Sequence, residues 1–173
     1  MCSIQPPRAF LRVYGYTAGM QKEVVKLAEL GAFAKNVLEG VARSATNTHA
    51  TILALSGNLG AGKTTLTQAL ARVLGVAENV QSPTYVLMKS YAIDWQHYTR
   101  LVHIDAYRLE VPEQFSALKP ESFLNDPHVL VVVEWPEHVV GVLPIPNLTL
   151  HLSSEGCAEG ERIIVADTKQ ELT

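Results

Sequence analysis

The chain has 173 residues, of which 47% are hydrophobic and 18% charged, and its formal net charge is −3. That length suits one domain with a real core, and the composition excludes a disordered chain. The slight acidity gives no sign of a general electrostatic footprint for nucleic acid, which is basic, and leaves room only for a local basic patch. Cys2 and Cys157 stand at opposite ends of the chain. They imply neither a disulfide framework nor a metal cluster and read as free thiols of a reducing cytoplasm. No apolar run reaches membrane-spanning length.

Residues 1–19 carry Arg8 and Arg12 but lack the continuous apolar stretch of a secretory signal. They show no clear periodicity and read as a loosely ordered extension ahead of a single domain over 20–173. Met20 is a candidate start. Val24, Leu27, Ala28, Leu30, Ala34, Val37, Leu38 and Val41 mark one apolar face. This spacing predicts an amphipathic helix over 21–43. Gly31 would sit inside it at a cost of about 1 kcal/mol relative to Ala.

After a polar loop, residues 51–56 form an apolar strand. Then comes Gly57-Asn58-Leu59-Gly60-Ala61-Gly62-Lys63-Thr64. This is the pattern G-x-x-x-x-G-K-[ST] in the strand-then-loop setting that gives it meaning. Glycines let successive N–H groups turn inward around phosphate oxygens, and the next helix adds its positive dipole end. Lys63 supplies a point charge for β- and γ-phosphates, and the Thr64 hydroxyl suits Mg²⁺. Candidate nucleotide contacts here are Gly57, Gly60, Ala61, Gly62, Lys63, Thr64 and Thr65. Leu66, Ala69, Leu70, Val73 and Leu74 predict a helix over 63–74, with Gly75 as its stop.

Gln81-Ser82-Pro83-Thr84 reads as a turn, followed by a strand over 85–91. Thr84 is a candidate γ-phosphate sensor of the kind found in switch loops, or a plain turn residue. A short strand over 101–104 ends on Asp105. That carboxylate either orients an attacking water, supports Mg²⁺, caps a turn or pairs with Arg108. His103 is polar support for the site or a packed imidazole. Residues 112–127 read as a short helix or irregular segment.

Val129-Leu130-Val131-Val132-Val133 is the continuous apolar run of a strand buried on both faces. Glu134 ends it, at the sheet edge where open α/β folds bind ligands, and is a candidate metal ligand. Trp135 beside it either gates the site or packs at its edge. Strands over 148–152 and 162–165 are placed to pair as a hairpin. The class is α/β: a single P-loop NTPase domain with a mainly parallel central sheet and an antiparallel C-terminal portion.

Taken jointly, the phosphate loop with Thr65-Leu66, Ser82-Pro83-Thr84-Tyr85, His103-Ile104-Asp105-Ala106-Tyr107-Arg108-Leu109, Val133-Glu134-Trp135-Pro136-Glu137 and Leu143-Pro144 resemble the TsaE family. The resemblance runs from about residue 24 to 165. It implies an ATPase of tRNA threonylcarbamoyladenosine biosynthesis that acts on a TsaD–TsaB complex. That complex modifies adenosine 37 of tRNA, so tRNA is met indirectly. The implied activity is slow, partner-dependent ATP hydrolysis. Thr64 and Glu134 would hold Mg²⁺, Lys63, Asp105 and Thr84 would serve catalysis, and Arg162 and Trp135 would contact nucleotide.

The chain departs from the family pattern at three places. Asn58 stands where an acidic residue is usual, Leu27 where a nucleotide-contacting threonine is usual, and Leu118-Lys119-Pro120 replaces a glycine-containing stretch. Two other readings stay open, a small-molecule P-loop kinase and a nucleotide-gated binding module with little turnover. The kinase reading lacks the arginine-rich lid it needs, because no arginine occurs between Glu134 and Arg162. No guanine-reading N/T-K-x-D motif follows the core strands, which leans to ATP.

Overall fold

The computed structural model describes residues 21–45, 48–83 and 86–167. The expectations for residues 1–19 and for Thr84 therefore lie outside the described residues. Among the described residues, seven strands form one sheet: β1 (Gln21–Lys26), β2 (Thr51–Ser56), β3 (Met88–Trp95), β4 (Tyr98–Asp105), β5 (Val129–Glu134), β6 (Leu148–Ser153) and β7 (Glu161–Asp167). The order across the sheet is β1-β7-β6-β2-β5-β4-β3. The centre is parallel, with β2 between β5 and β6 and β4 beyond β5. Both edges are antiparallel: β1 on β7 and β7 on β6 at one side, β3 on β4 at the other.

The periodicity of side chains along the central strands builds two cores. On β2, Leu53 and Leu55 face one side, where helices α1 (Leu30–Ser44) and α2 (Lys63–Val73) pack. Ile52 and Ala54 face the other, with Val131, Val133, Phe115, Phe123 and Val139. Every residue of β5 is buried. Full burial of each such aliphatic side chain contributes about 1.5–3 kcal/mol. Both faces of β2 and β5 are thus covered, and only their C-terminal ends are left to present polar groups.

The single helix expected over 21–43 is corrected. Residues 21–26 are strand β1, a 3-10 turn covers Leu27–Glu29, and α1 begins at Leu30. Val24 and Val25 are β-branched, and their backbone finds a full antiparallel ladder on β7. Gly31 consequently falls in the first turn of α1, not mid-helix. The strand expected over 85–91 begins at Met88 and runs to Trp95, and β4 begins at Tyr98 rather than 101. The two join as a hairpin through Gln96, whose φ is +54°. Residues 112–127 hold a 3-10 stretch, Pro112–Leu118, and a one-turn helix, α3 (Glu121–Leu124). The phosphate-loop strand and helix, the buried strand and the C-terminal hairpin stand as expected. No helix among the described residues is long and apolar enough to cross a membrane.

Candidate functional site

The loop between β2 and α2 crosses the C-terminal edge of the parallel strands. Gly57 opens it with φ +140° and Gly62 closes it with φ +99°, conformations that L side chains rarely adopt. A Cβ on Gly57 would also strike the backbone carbonyl of Leu152 on neighbouring β6. Gly57→Ala is therefore expected to cost about 3 kcal/mol, combining backbone strain with overpacking. Urea unfolding of the two proteins measures it. Ala61 is buried, and its N–H closes the loop on the Asn58 carbonyl at 3.1 Å.

Lys63 begins α2 and is only 5% exposed. Its Nζ donates to the carbonyls of Gly57 at 2.6 Å and Asn58 at 3.0 Å, and lies 3.7 Å from the centre of the Trp135 ring. Burial pushes the ammonium below the ordinary lysine range, while Glu134, Glu137 and Asp105 push it back up. An indole face is a good seat for a desolvated cation. Trp135 reaches that seat in a left-handed conformation, φ +61°, which is uncommon for a bulky residue. Its N–H bonds the Leu55 carbonyl at 3.1 Å, and its ring packs on Tyr107 and His138.

Glu134 ends β5 with 1% exposure. Three donors meet its carboxylate: Thr64 Oγ1 on Oε2 at 2.8 Å, and Thr67 Oγ1 at 3.1 Å and His103 Nε2 at 2.8 Å on Oε1. Thr64 spends its proton on the carboxylate, so its own lone pairs stay available to a cation. Two hard oxygens side by side fit Mg²⁺. Among the described residues no cluster of three His, Cys, Asp or Glu could cage a metal by itself. Mg²⁺ does not need one, because it keeps several waters and takes phosphate oxygens. The donor set therefore fits the ion together with a bound nucleotide.

Asp105 pairs with Glu134 across the β4–β5 register, which sets the two acidic residues side by side at the sheet edge. Its carboxylate accepts from Ser82 Oγ and from the Tyr107 N–H. Arg162 on β7 turns toward the loop, and its Nε donates to the Ala61 carbonyl at 3.0 Å. A cavity of about 200 Å³ opens beside Gly62 and Thr65, walled by Val25, Leu27, Leu30, Leu66 and Arg162. Leu27 thus lines an apolar hollow next to the loop.

The structure brings Gly57, Gly60, Ala61, Gly62, Lys63, Thr64, Thr65, Asp105, Glu134, Trp135 and Arg162 to one edge of the sheet. Sequence reasoning missed Thr67 and Ser82 as site residues. Thr67 lies one helical turn beyond Thr64 on the same face of α2, a spacing that carries the signal only once Glu134 is known to lie opposite.

Fold and loop together are those of a P-loop NTPase-like protein. The family model for "Threonylcarbamoyl adenosine biosynthesis protein TsaE" matches residues 25–164. The chain belongs to the TsaE family. It is 36% identical over 98 residues to the tRNA threonylcarbamoyladenosine biosynthesis protein TsaE of Haemophilus influenzae, covering 57% of this chain and 60% of that protein. It is 40% identical over 102 residues to the protein of that name from Streptomyces coelicolor, covering 58% and 67%. With the Bacillus subtilis protein of that name it shares 34% over 110 residues, covering 64% and 66%. The aligned stretch thus spans about 60% of the Haemophilus relative's length. A crystal structure of YdiB from Bacillus subtilis superposes with a TM-score of 0.61 at 24% identity over 90% of each chain, which shows the shared fold.

Proposed function

We propose that this chain is a Mg²⁺-dependent ATPase that works with a TsaD–TsaB pair in the threonylcarbamoylation of tRNA adenosine 37, in the cytoplasm. The observation that carries the reading is the Thr64–Glu134 hydrogen bond of 2.8 Å, which joins loop and buried strand into one hard-oxygen pair. The loop N–H groups and Lys63 bind the phosphates, Arg162 supports the loop through the Ala61 carbonyl and borders the nucleotide cavity, and Thr64 and Glu134 hold Mg²⁺. An ion held by Thr64 and Glu134 would neutralise charge on the phosphates. Asp105, fixed by Ser82 and the Tyr107 N–H, orients the attacking water. Thr84 senses the γ-phosphate. The apolar cavity beside Gly62 and Thr65 receives the base by area rather than by hydrogen bonds.

Slow turnover fits the resting position of Lys63. Its ammonium must leave two carbonyls and the Trp135 ring before it reaches phosphate. That contact also keeps the reading of a nucleotide-gated binding module in play, with partner association as its output. Sedimentation of the chain with its cognate TsaD–TsaB pair, with Mg²⁺–ATP, with ADP and without nucleotide, tests the partnership. Nucleotide-dependent co-sedimentation is expected. Failure to associate under all three conditions contradicts it.

A further inference from the structure

We propose that His103 is a positioning residue for Glu134, anchoring one carboxylate oxygen from behind so that the other is presented to the metal. The inference rests on the reading of Glu134 as a metal ligand. His103 is fully buried on β4, two residues before Asp105, and faces Glu134 from the next strand. Its Nε2 lies 2.8 Å from Oε1, and at that distance from a carboxylate oxygen the nitrogen carries the proton. Thr67 Oγ1 lies 3.1 Å from the same oxygen and 3.1 Å from the Lys63 carbonyl, so its one proton is shared between them, while Oε2 receives only Thr64 among the described donors. The distribution is asymmetric. Two donors, from β4 and α2, grip the inner oxygen, and the outer one keeps lone pairs toward the phosphate loop.

A carboxylate free to rotate about its last bond exchanges its two oxygens and splays its lone pairs. Donors on Oε1 from two directions fix the plane. The fold accepts a cost for this grip, because His103 Nδ1 is buried and has no hydrogen-bond partner among the described residues. An apolar residue in the same place would avoid that cost. A histidine kept there with one orphaned nitrogen is explained by what the other nitrogen holds. Partners that orient a metal-binding carboxylate in this way typically govern metal affinity by about 10- to 100-fold.

The test is calorimetric ADP binding with Mg²⁺ and with chelator, in the whole 173-residue chain and in four variants. His103→Met removes the donor at similar volume. His103→Gln places an amide N–H near the position of Nε2. Thr67→Val removes the second donor on Oε1 and serves as an independent variant where His103→Met lowers the yield of folded protein. Glu134→Gln removes the proposed ligand itself. The gain in affinity that Mg²⁺ confers is expected to fall about tenfold in His103→Met. It falls in the same direction in Thr67→Val and is largely restored in His103→Gln. Metal-free binding stays at the wild-type level in all three, which a general packing defect would not allow. A wild-type Mg²⁺ gain in both His103→Met and Thr67→Val, with the gain lost in Glu134→Gln, overturns the positioning role. A wild-type gain in Glu134→Gln overturns the metal reading beneath it.

Discussion

Lys63→Ala is expected to lower nucleotide affinity by about a hundredfold and turnover by about a thousandfold, without unfolding the protein. The ammonium sits on the loop's own carbonyls, and hydrogen bonds from it to phosphate would be charge-assisted, the strong kind. The loss is felt more in turnover than in binding, because charge builds on the β–γ bridge as the bond breaks. Stability behaves differently. Burial disfavours the Lys63 cation, so truncating it removes a desolvation cost together with two hydrogen bonds to loop carbonyls. Thermal unfolding within a few degrees of wild type is therefore the expected companion result. Calorimetric ATP titration and a phosphate-release assay check the first part. Unchanged binding and turnover would remove Lys63 from the site.

Glu134→Gln is expected to separate metal-dependent from metal-free binding. The amide keeps the shape, and its oxygen still accepts from His103 and Thr67. The negative charge facing Thr64 is lost. Mg²⁺-dependent affinity should fall about 10- to 100-fold and turnover about a thousandfold. Metal-free nucleotide binding should hold or tighten slightly, since a carboxylate that repels phosphate has gone. Titrations with and without Mg²⁺ decide it. Equal losses under both conditions would mean that Glu134 supports the loop's shape and not a cation.

Much of the site was legible because its signals are local. The phosphate loop is contiguous, and the apolar run before Glu134 announces a strand buried on both faces whose last residue must emerge at the edge. Strand β1 was not legible. Val24, Leu27, Ala28 and Leu30 happen to keep helical spacing, while the ladder that makes 21–26 a strand is supplied by residues 161–166, far along the chain. The β3–β4 hairpin was hidden for a similar reason. Its turn uses Gln96 at positive φ, with none of the Asn-Gly or Asp-Gly signals that usually mark one. Thr67 belongs to the same class, while His103 was legible as polar support for the site but not as the partner of Glu134. Each is an ordinary residue on its own element, and its meaning lies in a carboxylate delivered from a third.

The Lys63–Trp135 contact was legible only as two neighbours of a site, not as a pair. Sequence placed a tryptophan beside a metal-ligand candidate. The fold shows that its left-handed backbone aims the ring at the ammonium. The Trp135 ring thereby covers the charge that is proposed to bind phosphate.

Phosphate release from Mg²⁺–ATP, measured on the purified chain alone and with its cognate TsaD–TsaB pair, tests the proposed function most directly. The expected result is slow release alone, stimulation by the pair, and loss of both in Lys63→Ala. ATP binding with no release under either condition would contradict the ATPase and leave a nucleotide-gated binding module.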